Sequence, residues 1–228
     1  MKPRRILIVG GGSAGWMTAA YLDAVLNREG MMPVDIALVE SPDVPRIGVG
    51  EATIPSINHI LSAIGIDELE FIKRVDGTYK QAIKYVNWLD GQGESYYHAF
   101  GRYRESPVDR STLNWLMSDR SIPFSETISA QPVICDLNLS PKTLGHWDMG
   151  ARLTYAFHMN ALKFADYLAE IATSRGVTHH LDHVTDIEMA DSGDIAAVKT
   201  RSGQCIEADL FVDCTGFASI LIEKKLGV

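Results

Sequence analysis

The apolar run Ile6-Leu7-Ile8-Val9 passes directly into Gly10-Gly11-Gly12-Ser13-Ala14-Gly15. Four apolar residues bounded by basic residues and glycine read as a parallel strand buried on both faces. The small residues then supply G-x-G-x-x-G. Gly10 permits a sharp turn, Gly12 lets a pyrophosphate approach the backbone, and Gly15 lets a helix pack on the strand. Residues from about 14 to 28 carry that helix, with Ala19, Ala20, Leu22, Ala24, Val25 and Leu26 giving propensity and an apolar face. Its N-terminus would meet the phosphates. A second strand, Val34 to Val39, ends in Glu40, about where an acidic residue takes ribose hydroxyls in such folds. An ordinary solvated strand end is the other reading of Glu40, and only its position argues against that. The order of strand, helix, strand and acid predicts an α/β, Rossmann-like dinucleotide-binding core.

The chain has 228 residues, room for one large domain or a domain with a modest second lobe, and its 46% hydrophobic content is that of a soluble globule. A net charge of -8 disfavours nucleic acid or an anionic membrane surface as partner. The apolar run behind the basic N-terminus is too short for a secretory signal, and no segment approaches membrane-spanning length, so a cytoplasmic location is expected. Cys135, Cys205 and Cys214 are scattered without C-x-x-C spacing and read as reduced thiols. His179, His180 and His183 suggest a metal at first sight. Alternation scatters their faces and no carboxylate or thiolate completes an evident set, so no metal site is predicted.

Residues 41 to about 150 contain most of the prolines and three of the four tryptophans, with few long periodic segments. That composition reads as a substrate lobe inserted into the core, which would comprise residues 1–40 and about 151–228. Within it, Gly48-Val49-Gly50-Glu51-Ala52-Thr53-Ile54-Pro55 reads as a tight loop. Its two glycines permit positive φ or close ligand approach, and Ile54-Pro55 stiffens the exit. Helical pattern returns at about 159 to 175, closed by Gly176. Strands are predicted near 178–181, 184–189, 195–200 and 205–213, the last running into Asp213-Cys214-Thr215-Gly216.

A glycine fingerprint followed some two hundred residues later by a strand and a Thr-Gly turn resembles FAD-binding proteins of the glutathione-reductase type. The resemblance narrows on four blocks: Gly10 to Met17, Pro45 to Pro55, Tyr79-Lys80-Gln81-Ala82-Ile83-Lys84-Tyr85-Val86-Asn87-Trp88, and Asp213 to Gly216. Their order and separations are similar to those of the flavin-dependent tryptophan halogenases across essentially the whole chain. The resemblance implies a soluble, two-component oxidoreductase in which reduced FAD, delivered by a separate flavin reductase, reacts with dioxygen to give a flavin hydroperoxide. Halide attack on it would give hypohalous acid, which crosses an internal tunnel to a lysine beside the aromatic substrate, usually an indole. A homodimer is plausible on the same ground.

Carried over residue by residue, the resemblance makes Lys80 the active lysine and leaves Lys84 structural. Four apart, the two lysines share a face in either a helix or a strand, and from residue types alone both are ordinary solvated lysines. An ammonium at Lys80 would polarise hypohalous acid, or a neutral amine would attack it; partial burial favours the neutral form. His98 and Phe100 stand where the family lines its aromatic substrate, although core filling by a Phe and a satisfied His is an equal reading. By the same resemblance Gly10, Gly12, Ser13, Ala14, Gly15, Glu40, Ser41, Gly50, Glu51, Ala52, Val184 and Gly216 would bind FAD, with Val184 at the adenine end and Glu51 and Ala52 near the flavin.

Family members continue well beyond the Thr-Gly turn. The resemblance places there a Trp-x-Trp-x-Ile-Pro signature, a second active carboxylate and a Ser-Thr-Gly halide loop, none of which is among these residues. The sequence is therefore expected to be the N-terminal part of such an enzyme. A related flavin monooxygenase and a noncatalytic flavin-binding fragment are the alternatives.

Overall fold

The computed structural model describes residues 4–46, 48–101, 110–146 and 149–228. Ile47, inside the Pro45 to Pro55 block, lies outside them. The chain begins with β1 (Arg5–Val9), α1 (Ser13–Leu26), β2 (Asp35–Glu40), β3 (Gly50–Ala52), α2 (Ser56–Ile64) and α3 (Glu68–Arg74). Next come β4 (Thr78–Lys80), β5 (Ala82–Val86), β6 (Ser95–Ala99) and three short helices, α4 (Ser111–Met117), α5 (Phe124–Ile128) and α6 (Gln131–Asp136). After β7 (Ala156–Asn160) and α7 (Ala161–Ser174) stand β8 (Thr178–Leu181), β9 (Val184–Met189), β10 (Ile195–Thr200), β11 (Cys205–Glu207) and β12 (Leu210–Asp213). These elements form two compact units, one of Met1–Gly50, Ala63–Gly65 and Asn160–Val228, the other of Glu51–Ser62 and Ile66–Met159.

The first unit is α/β, as the glycine fingerprint predicts. Its sheet runs β12-β1-β2-β8, with parallel pairing throughout. Ile6 to Val9 are at most 2% exposed, which is why that strand reads as unbroken apolar sequence. Val9 pairs with both Asp213 and Val39, so the carboxyl ends of β1, β2 and β12 finish level. That is where open α/β sheets bind ligands. A second, antiparallel sheet of order β11-β10-β9 packs on it through Leu7, Val9, Val39, Ile187, Val198 and Leu221. α1 lies against α7, with Trp16, Ala19 and Ala20 buried on one and Phe164, Ala165 and Leu168 on the other. Asn160 starts α7 by accepting from the backbone N–H groups of Leu162 and Lys163 at 3.0 and 3.1 Å.

One predicted strand divides. Residues 205–213 form β11 and β12, which belong to different sheets. The break falls at Asp209, whose carboxylate accepts from Arg4 N and Arg5 N at 2.8 and 3.0 Å, turning the chain out of the antiparallel sheet and alongside β1.

The second unit contains a small sheet of order β3-β7-β4 and the hairpin β5-β6. β4 and β7 are antiparallel, with Thr78 opposite His158, Tyr79 opposite Phe157 and Lys80 opposite Ala156. Phe71, Tyr155 and Phe157 are buried together, Phe157 meeting the other two rings edge-on at 5.0 and 5.6 Å between centroids. The expected common face of Lys80 and Lys84 is not formed. Gln81 separates β4 from β5, the two strands lie in different sheets, and Lys80 is buried while Lys84 is exposed. Among the described residues no helix is long and apolar enough to cross a membrane.

Candidate active site

In the first unit, the three fingerprint glycines meet three different conditions. Gly10 has φ +112°, and a Cβ there would stand 2.3 Å from Cys214 O; a Cβ on Gly15 would stand 1.9 Å from Gly10 O. Both positions are closed to any larger residue. Gly12, immediately before α1, has nothing within 4 Å of the Cβ position and gives no side-chain cap, so it faces open space beside the first-turn N–H groups, which have no partner within a helix. Ser13 Oγ donates to Ala161 O at 3.4 Å, while Ala14 is exposed.

Glu40 is tied down more firmly than a solvated strand end would be. Its carboxylate accepts from Arg46 Nη2 at 3.1 and 3.2 Å and lies 3.0 Å from His179 Nε2. Arg46 also pairs with Asp166. The Glu40 side chain lies over Gly11, where a Cβ would come within 1.7 Å of Oε2. Ser41 Oγ is 2.9 Å from His183 Nδ1, and His183 Nε2 is 2.6 Å from Asp43. These contacts give His179 a side-chain partner at the end of β2 and His183 two on the segment that follows it.

Beside the glycine loop, Asp213 ends β12 with its carboxylate accepting from Thr215 N, Thr215 Oγ1, Leu221 N and Ile222 N at 2.6 to 3.1 Å. Burial opposes the charge, yet these bonds hold the carboxyl below the usual range. Gly216 follows at φ +59°. Val184 opens β9 on the edge of the antiparallel sheet, opposite Thr200. An open backbone at Gly12, a helix N-terminus behind it and a carboxylate at the end of β2 fit a dinucleotide such as FAD.

In the second unit, Lys80 is 8% exposed. Its ammonium donates to Thr53 O at 2.9 Å and Ala52 O at 3.4 Å and lies 5.4 Å from the centre of the Phe100 ring. Thr53 is itself fixed to β7, its N donating to Phe157 O and its Oγ1 accepting from Phe157 N. Burial lowers the Lys80 pKa below the ordinary lysine value. His158, on the same face two residues along the partner strand, is lowered by burial and then by the charge of Lys80. Lys84, by contrast, is exposed and donates to Asp136 at 3.0 Å. His98 is exposed and pairs with Ile83 across the hairpin; Glu51 is half-buried in β3. In the first unit, Gly48 has no positive φ. Its constraint is a close approach to Leu162, whose Cδ1 would lie 2.8 Å from a Cβ.

Behind Lys80, on the opposite face of β4, lies a cluster that sequence reading does not reveal. The Glu68 carboxylate accepts from Tyr79 OH at 2.8 Å, Tyr155 OH at 2.5 Å and Lys142 Nζ at 2.8 Å. Lys142 Nζ also donates to Gly150 O and Tyr155 OH, both at 2.8 Å. Burial first, and then Glu68, pushes both phenols well above their ordinary value. In sequence, Asp67 caps α3 by accepting from Glu70 N, so Glu68 reads as an ordinary acid of a first helical turn.

The family model for tryptophan halogenase matches residues 5–228. The chain belongs to the tryptophan halogenase family. Tryptophan 7-halogenase RebH of Lentzea aerocolonigenes is 39% identical over 244 residues, covering 99% of this chain and 44% of RebH. A tryptophan halogenase structure from Shewanella frigidimarina NCIMB 400 superposes with a TM-score of 0.92 at 38% identity, over 100% of this chain and 45% of that one. Tar14, a tryptophan C-6 flavin-dependent halogenase (chlorinase) from taromycin biosynthesis, gives 0.87 at 38% identity, over 98% and 45%. The chain thus spans under half the length of the tryptophan halogenases it matches.

Proposed function

We propose that the native polypeptide carrying these residues is a flavin-dependent halogenase that consumes reduced FAD, dioxygen and halide to halogenate tryptophan or another indole. The observation that carries this reading is a lysine amine, 8% exposed, held by two backbone carbonyls and faced by the Phe100 ring, in a chain of this family. Gly10, Gly12, Ser13, Ala14, Gly15, Glu40, Ser41, Val184 and Gly216 would hold FAD, with Gly50, Glu51 and Ala52 near its flavin. When bound and reduced, FAD would supply two of the four electrons that dioxygen takes up and halide the other two, giving hypohalous acid and water. A separate flavin reductase renews the reduced cofactor.

Lys80 acts on the hypohalous acid. As an ammonium it hydrogen-bonds the oxygen and leaves the halogen electron-poor. As a free amine, which burial favours, it forms an N–halogen bond with loss of water. Either way the halogen passes to a ring carbon, which gives up its proton, and the amine is restored. Phe100 gives the indole an apolar face to pack against, with His98 beside it, and the yield depends on how closely the ring is held.

The test is mass spectrometry of reactions containing the native polypeptide, FAD, a flavin reductase, NADH, oxygen, chloride or bromide, and a panel of indoles. A product heavier by one halogen in place of one hydrogen is expected, and Lys80→Ala is expected to abolish it while FAD still binds. Oxygenated products without halide dependence would replace this reading with a monooxygenase. Unchanged halogenation by Lys80→Ala would remove Lys80 from the reaction.

A further inference from the structure

We propose that Glu68 is a positioning residue for Lys80, its carboxylate holding β4 and β7 in the register that turns the Lys80 side chain toward Phe100. The proposal rests on the reading of Lys80 given above.

β4 has three residues and three pairings with β7. Neighbouring side chains on a strand point to opposite faces, and a slip of one residue exchanges the faces. So short a ladder specifies its register weakly, and Lys80 presents its amine to Phe100 only while Tyr79 stays on the other side. The Glu68 carboxylate supplies that hold. One oxygen takes the Tyr79 hydroxyl from β4, and the other takes the Tyr155 hydroxyl from the residue that leads into β7. Tyr79 is opposite Phe157, and Tyr155 is two residues before Phe157, so the two phenols lie diagonally on one face. A single acid therefore bridges both strands, and its own helix is capped by Asp67.

Lys142 completes the device. The Glu68 and Lys142 side chains are 0% and 2% exposed, and the ammonium bonds to the carboxylate, to Tyr155 and to Gly150. A buried ion pair is seldom more stabilising than apolar packing of the same volume. What this one adds over the surrounding aromatic rings is directional bonding, which fixes the phase of a strand that ring packing alone would leave free to shift.

The experiment uses the native polypeptide with FAD and compares Tyr79→Phe, Tyr155→Phe, Glu68→Gln and Lys80→Ala. Three quantities are read: halogenated indole formed per reduced flavin consumed, FAD affinity, and the pH midpoint of Lys80 acylation by acetic anhydride, followed by peptide mass mapping. Tyr79→Phe keeps its ring and loses one donor. It is expected to hold FAD affinity within about twofold while product per flavin falls at least about tenfold, since a misplacement of about 1 Å can cost on the order of 100-fold. The acylation midpoint should move up toward about 10.4, the value of an unperturbed lysine, as Lys80 leaves its buried seat. Tyr155→Phe and Glu68→Gln should move it the same way, and the two phenol variants decide if Glu68→Gln does not fold. A midpoint unmoved in folded Tyr79→Phe and Tyr155→Phe overturns the proposal, whether or not product falls. If Lys80→Ala keeps full product, the catalytic reading of Lys80 fails, and the midpoint still decides whether Glu68 positions the side chain.

Discussion

A methyl group on Gly11 would stand 1.7 Å from Glu40 Oε2, whereas one on Gly12 would touch nothing within 4 Å. Adjacent glycines of one loop thus answer to different demands, and substitution should separate them. Gly12→Ala is expected to leave thermal stability within about 1 kcal/mol of the parent while weakening FAD binding at least tenfold or so in a flavin fluorescence titration. Gly10→Ala places its Cβ 2.3 Å from a backbone oxygen at φ +112° and should cost about 3 kcal/mol or more in urea unfolding. The fingerprint made Gly10, Gly12 and Gly15 legible because their roles belong to a local turn. Gly11 was illegible, because the group that excludes a side chain there arrives from the far end of β2. Lys80 could be named in the sequence only by resemblance. Its burial depends on carbonyls nearly thirty residues earlier and a ring twenty later.

At the scale of elements, periodicity served well wherever a segment buries one continuous face. α1, α7, β8, β9 and β10 fall where alternation or 3.6-residue spacing puts them. It misses the break at Asp209 between β11 and β12, where a polar side chain redirects the backbone, and it leaves the segment holding Lys80 and Lys84 open between helix and strand. Asp213 joins the end of β12 to the turn after it through four hydrogen bonds. Asp213→Asn should destabilise the chain by about 2 kcal/mol at neutral pH, since bonds to a charged acceptor carry about 1.5 to 3 kcal/mol. The folded-state pKa of Asp213 lies below the unfolded value of about 3.9. Its contribution is therefore complete above that value and fades as pH falls through the folded one. Urea unfolding from pH 6 down to pH 3 should show parent and variant converging only below about pH 4. A constant difference across that range would refute the assignment.

For the whole molecule, one long-range tie in the second unit joins Glu68 to Lys142, seventy-four residues apart, with both side chains at most 2% exposed. Lys142→Met leaves a buried carboxylate uncompensated and should cost about 3 to 5 kcal/mol. Adding Glu68→Gln removes the stranded charge and should restore part of that loss, measured by urea unfolding of the two single variants and the double. Strict additivity would show that the residues do not act as a pair. Sequence could not reveal this tie, because each partner is unremarkable in its own surroundings: an acid in the first turn of α3 and a lysine in a loop after Pro141. The α/β core was readable from one end of the chain because local order carries it. The second unit was readable only as composition, because its organisation rests on side chains that meet across long separations.

The two carbonyls that hold Lys80 have one more consequence. A lysine nitrogen has four tetrahedral positions; Cε takes one, and the bonds to Thr53 O and Ala52 O take two. The fourth is thereby a single direction fixed in space. On the ammonium that direction carries a hydrogen, and on the free amine it carries the lone pair, so gain or loss of one proton converts the same vector from donor to nucleophile without moving an atom of the side chain.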